Sequence, residues 1–392
     1  MSRIQGISVS AAALLVGLTA PAFAQEDAAP AANAQTDGAT EAQTDESAKK
    51  NLQLEEIVVT AQKRAENIQD VPVSVSAVTG DSLKERGIDT FDSMANYTPN
   101  VNITSGNGEA FVRVRGLGSM ANDGFESSVG FYIDDIYYGR SIYMGQAFLD
   151  LDRVEVLRGP QGTLFGKNTV AGAINMHTAK PSDEFEVAGD ATFGEFENQA
   201  ASLVVNVPLF NDAIGVRLAG TFQERDGWYF NSTNNDEERN VDRVNLRGKV
   251  GWDITADWDL ILGYSYATYQ DNGPGFELYD VNEPTQTLNG IFNPDTEYEL
   301  NRTGVTDTDA TTDITTKTWT LHSNLDIGEY SFVLAAGYSD YHHIVNFDAD
   351  GGAAPLLTWL NEDNYDQTSV ELRVVSPPGQ FEYVAGLHYF AN

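Results

Sequence analysis

The feature that most limits the possible folds is a two-residue alternation through the second half of the chain. From residue 185 onward, apolar side chains alternate with polar, small or charged ones in about nine segments. In one of them Val216 and Leu218 flank Arg217. Successive side chains of a strand point to opposite faces. The pattern therefore predicts antiparallel strands with one apolar and one polar face, as in a transmembrane barrel whose apolar face contacts lipid and whose polar face lines the lumen.

A soluble β-sandwich also alternates, but its polar face rarely carries basic residues as dense as Arg243, Arg247 and Lys249 in one strand. The connections favour the barrel as well, because tight turns and long loops alternate as they do between the two sides of the outer membrane. We place the tight turns near 211–212, 254–256, 328–329 and 377–379. We place the outer connections at 195–198, 225–240, 271–312 and 344–364, of which only the first is short.

About nine strands do not close a bacterial barrel, because these barrels have an even strand count and an open edge is costly in lipid. The last residues, 386–392, also lie in or just after a strand pattern. We therefore expect this chain to carry only the N-terminal part of a barrel.

The N-terminal residues indicate export. Arg3, an apolar run over 7–19 and the Ala22-Phe23-Ala24 sequence are typical of a secretory signal peptide, predicted over 1–24. Residues 25–53 are rich in Ala, Gln, Thr, Asp and Glu, and we expect a disordered periplasmic tether. The chain has no cysteine, and its formal net charge of −35 argues against a nucleic-acid partner.

Two further segments lie between the tether and the alternating strands. Residues 54–61 form a short β-branched stretch with no obvious neighbouring strand, which suits pairing with another protein's sheet edge or an edge strand of the next domain. Residues 62–182 read as a mixed α+β domain. We predict strands over 71–78, 110–115, 129–136 and 154–157, a capped helical turn over 80–87 and a short helix over 91–97.

Several residues in these segments resemble the TonB-dependent outer-membrane receptor family. Glu56, Ile57, Val58, Val59 and Thr60 resemble a TonB box. The stretches at 114–118 and 148–175, which include Arg158-Gly159-Pro160-Gln161-Gly162-Thr163, resemble the plug signature. The resemblance implies a plug domain at 62–182 and the N-terminal part of a barrel at 183–392, with about nine strands of an expected 22.

The resemblance further implies active uptake of a scarce solute, most often an iron–siderophore complex. Its partners would be TonB with its inner-membrane energising complex, outer-membrane lipid and the small-molecule substrate. The plug-apex residues that would contact substrate are Asn107, Glu109, Asn122, Asp123 and Phe125. A passive porin-like channel and a secreted β-rich adhesin are the alternatives, but neither explains a folded plug.

The charges predicted to link plug and barrel are Arg113, Arg115, Arg153 and Arg158 in the plug and Arg217, Arg243, Arg247 and Lys249 in the wall. Other patterns are weaker. The 162–168 loop lacks the spacing of a phosphate loop. His342 and His343 would point to opposite strand faces, so we expect no metal site. Asp134-Asp135 and the Asp150/Asp152 pair suit turns and ion pairs better than catalysis. We expect no cofactor and no enzyme.

Overall fold

The computed structural model describes residues 57–106, 109–118, 126–146, 148–211 and 213–392. All of them belong to one compact unit, Glu56–Asn392. The predicted signal peptide and tether lie outside these residues.

The first half of the described chain contains a mixed five-stranded sheet in the order β3-β9-β10-β7-β8. Only the β10–β7 pair is parallel. The strands are β3 (Val75–Thr79), β7 (Val129–Ile133), β8 (Ile136–Tyr138), β9 (Leu151–Arg158) and β10 (Gly172–Thr178). Two smaller sheets join it: the pair β1 (Val58–Val59) and β2 (Glu66–Asn67), and the three strands β4 (Val101–Gly106), β5 (Glu109–Val114) and β6 (Leu117–Gly118).

One predicted strand is wrong: the 129–136 segment is a hairpin, not a single strand. Asp134 and Asp135 have φ of 49° and 66°, so two consecutive left-handed residues reverse the chain between β7 and β8. Aspartate tolerates this conformation better than most residues, and a two-residue turn of this kind matches the twist of a hairpin. The turn places both carboxylates at the tip of the sheet.

Short capped helices pack beside this sheet. Helix α1 (Gly80–Glu85) begins after Thr79, whose hydroxyl accepts from the Ser82 amide, and α2 (Phe91–Ala95) begins with a Thr90/Ser93 capping box. The plug also contains a 3-10 turn (Ser141–Met144) and α3 (Gly162–Phe165), and a further helix, α4 (Glu283–Phe292), lies in the second half of the chain. No helix in the described ranges is long and apolar enough to cross a membrane.

The second half of the chain forms one antiparallel sheet of nine sequential strands. They are β11 (Glu186–Phe193), β12 (Gln199–Leu209), β13 (Ile214–Arg225), β16 (Val241–Thr255), β17 (Trp258–Asp271), β19 (Thr311–Ile327), β20 (Tyr330–Asp348), β21 (Thr358–Val375) and β22 (Val384–Ala391). The predicted fold class and strand number are thus confirmed. We call this sheet the wall, and the mixed domain before it the plug.

The wall has the two faces that the alternation predicts. On β16, Asn245 and Lys249 are buried against the plug, whereas Leu246 and Val250 point away and are about half exposed. On β13, Arg217 is 7% exposed and its neighbour Leu218 55%. An apolar outer face beside a polar inner face is the arrangement of a membrane-spanning barrel.

The wall has two distinct ends. Connections 210–213, 256–257, 328–329 and 376–383 form the short-turn end, and connections 194–198, 226–240, 272–310 and 349–357 form the long-loop end. The last loop is shorter than predicted, because β20 and β21 extend nearly to its tip. The predicted long loops are also not bare: β14 (Tyr229–Asn231), β15 (Asp236–Glu238) and β18 (Thr303–Gly304) form a small sheet there, and α4 lies between them.

Candidate functional site

The predicted TonB-box residues lie on the plug. Ile57 to Thr60 are described, and Glu56 is not. Our expectation that this strand has no partner nearby in the sequence is wrong: Val58 pairs with Asn67 and Val59 with Glu66. The physical reason is a turn at 60–63, closed by the Lys63 amide donating to the Thr60 carbonyl at 2.8 Å. Val59 is fully buried, while Val58 on the opposite face is 45% exposed.

The end of this segment is fixed by a carboxylate. The Thr60 amide donates to Glu155 Oε1 at 2.9 Å, and its hydroxyl lies 2.9 Å from His177 Nε2. Burial by itself raises the pKa of Glu155. The hydrogen bond and charge of His177, together with Arg153, outweigh burial and hold that pKa below its ordinary value. Glu155 is therefore ionised at neutral pH and binds the strand as a charged acceptor.

The residues that follow tie the segment to the wall. Lys63 Nζ lies 3.3 Å from both Asp135 in the plug and Glu371 on β21, and it is almost completely buried. Arg64 forms an ion pair with Glu382 and donates to the Ser376 carbonyl at 3.2 Å. Because both residues belong to the β21–β22 connection, the Ile57–Thr60 segment lies at the short-turn end.

Three of the four predicted wall charges contact the plug directly. Arg217 binds Asp150 through two hydrogen bonds of 2.7 Å and also binds Glu186 on β11 at 2.8 Å. Lys249 Nζ lies 3.0 Å from Asp134 Oδ2. Arg247 donates to the Leu149 carbonyl at 2.7 Å.

The predicted plug arginines are arranged differently. Arg153 binds Asp152 and Glu155, Arg158 donates to the Pro99 carbonyl and to Ser74 and Ser76, and Arg113 donates to Thr104. Each of these partners belongs to the plug, because the side chains lie over neighbouring plug strands. Arg115 occupies the turn between β5 and β6 with φ of 54°. Asp134 and Asp150 are plug acids that bind wall cations. Two plug cations, Lys63 and Arg64, form ion pairs with the wall, and neither is one of the four predicted arginines.

A polar cavity of about 240 Å³ lies at the long-loop end, between α2 and the wall. Three wall arginines line it: Arg225, Arg239 and Arg243. The Arg243 guanidinium lies 5.1 Å from the Tyr269 ring centre, and the Arg239 guanidinium lies 5.1 Å from that of Trp228. Cationic groups beside aromatic faces suit a ligand that carries both anionic and aromatic groups.

Of the predicted substrate contacts, Glu109 lines this cavity. Asn107, Asn122, Asp123 and Phe125 lie outside the described residues. Within the described ranges, no three His, Asp or Glu side chains converge as a metal site requires.

The sequence analysis missed several residues that join plug and wall. Glu371 and Arg373 lie on the inner face of β21, and Arg373 binds Asp135 at 2.7 Å and Glu371 at 2.8 Å. The sequence did carry a signal for them, because two charged residues spaced two apart on a strand lie on the same face. Lys63 gave no such signal, because nothing local marks it as buried.

Comparison with known proteins identifies the domain that lies against the wall. A family model, the TonB-dependent Receptor Plug Domain, matches residues 67–173. These residues form a plug domain of the kind found in TonB-dependent receptors. The chain is 24% identical over 250 residues to the ferripyoverdine receptor of Pseudomonas aeruginosa, a match that covers 60% of the chain and 28% of that relative. It is 34% identical over 128 residues to the pesticin receptor of Yersinia pestis, over 32% of the chain and 19% of that relative.

Solved structures share the receptor fold. The ferric yersiniabactin uptake receptor of Yersinia pestis superposes with a TM-score of 0.68 at 20% identity, over 81% of this chain and 48% of that one. The ferripyoverdine receptor of Pseudomonas aeruginosa superposes with a TM-score of 0.67 at 18% identity, over 85% and 44%. The chain thus spans less than a third of the two curated relatives and about half of these structures. An iron-regulated outer membrane virulence protein of Vibrio cholerae is 28% identical over 186 residues, which cover 44% of this chain and 28% of that relative.

Proposed function

We propose that the receptor takes up an iron–siderophore complex across the outer membrane, energised through TonB. The observation that carries this proposal is the plug seated on the polar face of the wall through buried ion pairs, such as Asp150 with Arg217 and Asp134 with Lys249. Paired charges of this kind hold a domain in the lumen and, if pulled apart, leave costly unpaired charges. A plug held this firmly requires work to move it.

This arrangement disfavours the two alternatives. A passive porin needs an open aqueous lumen, whereas a folded domain with its own core lies against the inner face here. A secreted adhesin has no use for an apolar outer face on nine strands beside a polar inner face. We likewise propose a transporter and not an enzyme.

The segment from Glu56 to Thr60 is proposed as the TonB-binding strand. Its described part lies at the short-turn end, which faces the periplasm in outer-membrane barrels. A partner strand can bind through backbone hydrogen bonds, as in β-strand addition. TonB would then compete with β2 for one edge of this strand or add to its other edge. The exposed Val58 side chain lies on the accessible face.

Substrate is proposed to bind at the opposite, long-loop end. Asn107, Glu109, Asn122, Asp123 and Phe125 stay our proposed plug contacts, and the arginine-lined cavity supplies the wall side. The curated and structural relatives are named for ferripyoverdine, ferric yersiniabactin and ferric catecholates. The chemistry common to such complexes is a metal chelate with anionic oxygen donors, which arginine binds well. We also propose the domain limits that were predicted from the sequence. They are a signal peptide over 1–24, a tether over 25–53, the TonB-box segment over 54–61, a plug over 62–182 and the N-terminal part of a barrel over 183–392.

Uptake of radiolabelled iron tests the proposal. Cells that produce the receptor, with and without TonB, are given iron complexed to pyoverdine, yersiniabactin or a tris-catecholate. We expect TonB-dependent accumulation of at least one complex and none in cells that lack the receptor. Equal accumulation with and without TonB would indicate a passive channel instead, and no accumulation of any complex would refute the proposed substrate class.

A further inference from the structure

The plug contacts the wall unequally, and one side leaves a large cavity. This cavity measures about 740 Å³ and lies between α1, with the residues that follow it, and strands β11 to β13. Its size falls within the range of small-molecule sites, about 300–1,000 Å³. It is separate from the arginine-lined cavity described above, although Arg243 lines both.

Small side chains on the wall create the cavity. Register and alternation place one residue set on the inner face, and its members are small or short except near the ends. Those that line the cavity are Ala188, Asp190, Thr192, Ala200, Ser202, Val204 and Thr221. On the plug side the lining includes Leu83 and Lys84 of α1. Three apolar residues, Leu149, Val204 and Ala219, form the separate buried cluster that supports this side.

The two ends of this cavity differ. At the long-loop end, Arg243 lies between it and the outer cavity, and its Nε is buried without a hydrogen-bond partner among the described residues. At the short-turn end, Asp150 lines the cavity and is held by Arg217, which also binds Glu186. This three-residue ion cluster joins the plug to two wall strands. It closes the cavity floor.

The chemistry of the outer cavity favours an anionic group. Three acids line it with the three arginines: Asp92, Glu109 and Asp271. Glu109 already accepts from the Ser141 hydroxyl at 3.0 Å, and Asp271 accepts from the Tyr269 hydroxyl at 2.8 Å and the Gly273 amide at 3.0 Å. Arg225 Nη2 donates to the Arg239 carbonyl, but the Nε atoms of Arg225 and Arg243 have no partner in the described part of the chain. An oxyanion that reached these two donors would satisfy them.

We propose that the ligand passes between the plug and strands β11 to β13, beside Arg243 at the outer end and past the Arg217–Asp150–Glu186 cluster at the inner end. The inference rests on the proposed uptake function and adds the route. Pulling the plug would need to separate Asp150 from Arg217, and α1 is the plug element that faces the path.

Filling the cavity tests the route. Ala200 and Leu203 lie on opposite faces of β12, and Leu203 is exposed and does not line the cavity. Ala200→Trp therefore enters the cavity, and Leu203→Trp points to lipid. Both variants are made in the receptor as the bacterium produces it. Binding of the radiolabelled iron complexes is measured at the surface of cells without TonB, and uptake is measured in cells with TonB.

We expect Ala200→Trp to bind ligand normally and to take it up at least about tenfold more slowly, with Leu203→Trp within about twofold of wild type. Uptake by Ala200→Trp at the wild-type rate would overturn the route. If Ala200→Trp does not reach the membrane or does not bind, Ser202→Phe and its outward neighbour Leu203→Phe are compared under the same criteria. Failure of the wild-type receptor to take up any complex would refute the proposed function, a result distinct from loss in the variant alone.

Discussion

The plug rests on two very different stretches of wall. Against β19 to β22 it packs closely: Ile314, Ala335 and Tyr341 belong to the same buried cluster as the plug core. A Cβ added to Gly337 would approach Ile136 to 2.7 Å, so glycine is required where wall and plug meet. Against β11 to β13 the plug leaves the 740 Å³ cavity.

Polar contacts repeat this difference. On the packed side Gln367 is 1% exposed, donates to the Tyr137 carbonyl at 2.9 Å and accepts from the Gly139 amide at 3.2 Å. On the open side, the ion cluster around Arg217 is the main described side-chain contact to the plug. We infer that one side anchors the plug and the other admits the ligand, because a domain that must move needs a fixed part and a yielding part.

The largest expected loss of stability is on the packed side. Arg373→Gln leaves Asp135 and Glu371 with Lys63 as their nearest cation. Burial raises the pKa of Asp135, but Lys63 and Arg373 hold it well below its ordinary value. Removing Arg373 leaves this buried carboxylate with less compensating charge. Breaking such a buried pair costs about 3–5 kcal/mol.

Calorimetry of the purified receptor in detergent measures this loss, with Arg373→Lys as the control that keeps the charge. If the free energy of unfolding of Arg373→Gln lies within about 0.5 kcal/mol of the wild-type value, the packed side does not anchor the plug.

We expect Arg217→Gln to destabilise the receptor less than Arg373→Gln does, but to make the plug–wall cavity more permeable. Its partner Glu186 is 44% exposed and can be solvated, so the cost falls to about 1–3 kcal/mol. The cavity floor loses its closure, and bulky hydrophilic antibiotics should penetrate these cells more readily. Growth inhibition is compared with Arg373→Gln, which leaves that floor intact. Equal antibiotic sensitivity of the two variants would contradict the assigned roles.

The smallest effect concerns pH at the long-loop end. Asp348 ends β20, well beyond the roughly ten residues that cross a bilayer. Its carboxylate accepts from the Asp307, Asp350 and Gly351 amides. Burial raises the pKa of Asp348 to about 6, although these amides oppose the shift. The folded loop therefore binds more protons than the unfolded loop between the ordinary value of 3.8 and about 6.

Stability of this loop should thus fall as pH rises through that window. Hydrogen exchange of the three amides, corrected for intrinsic rates, should be a few-fold slower at about pH 5 than at about pH 7.5. Asp348→Asn should show no such dependence. A wild-type loop that is more protected at the higher pH would mean that the shift has the opposite sign.

Much of the fold was predictable because its signals are local. Alternation identified the nine wall strands, and it assigned Arg217 and Lys249 to the inner face. Local signals also predicted the two short plug helices that begin at Gly80 and Phe91. The resemblance of 148–175 identified the plug.

The rest depends on contacts distant in sequence. The pairing of Val58 with Asn67 depends on a turn that carries no strong turn residue, and the hairpin at Asp134-Asp135 was hidden in an apolar run. The plug arginines were expected to bind the wall, but Arg158 finds Ser74 and Ser76 on a plug strand instead. The contacts of long side chains cannot be predicted from the sequence pattern alone, because they depend on which strands are neighbours in the sheet.

The most direct test of the account is the backbone of the predicted TonB-binding strand. Val58→Pro removes one amide donor from a strand that must pair with TonB, while Val58→Thr keeps the backbone and the β-branched shape. Surface binding and TonB-dependent uptake of the radiolabelled iron complexes are measured for both. The account predicts normal ligand binding by both variants, uptake by Val58→Thr near the wild-type rate and no uptake by Val58→Pro. Normal uptake by Val58→Pro would contradict it.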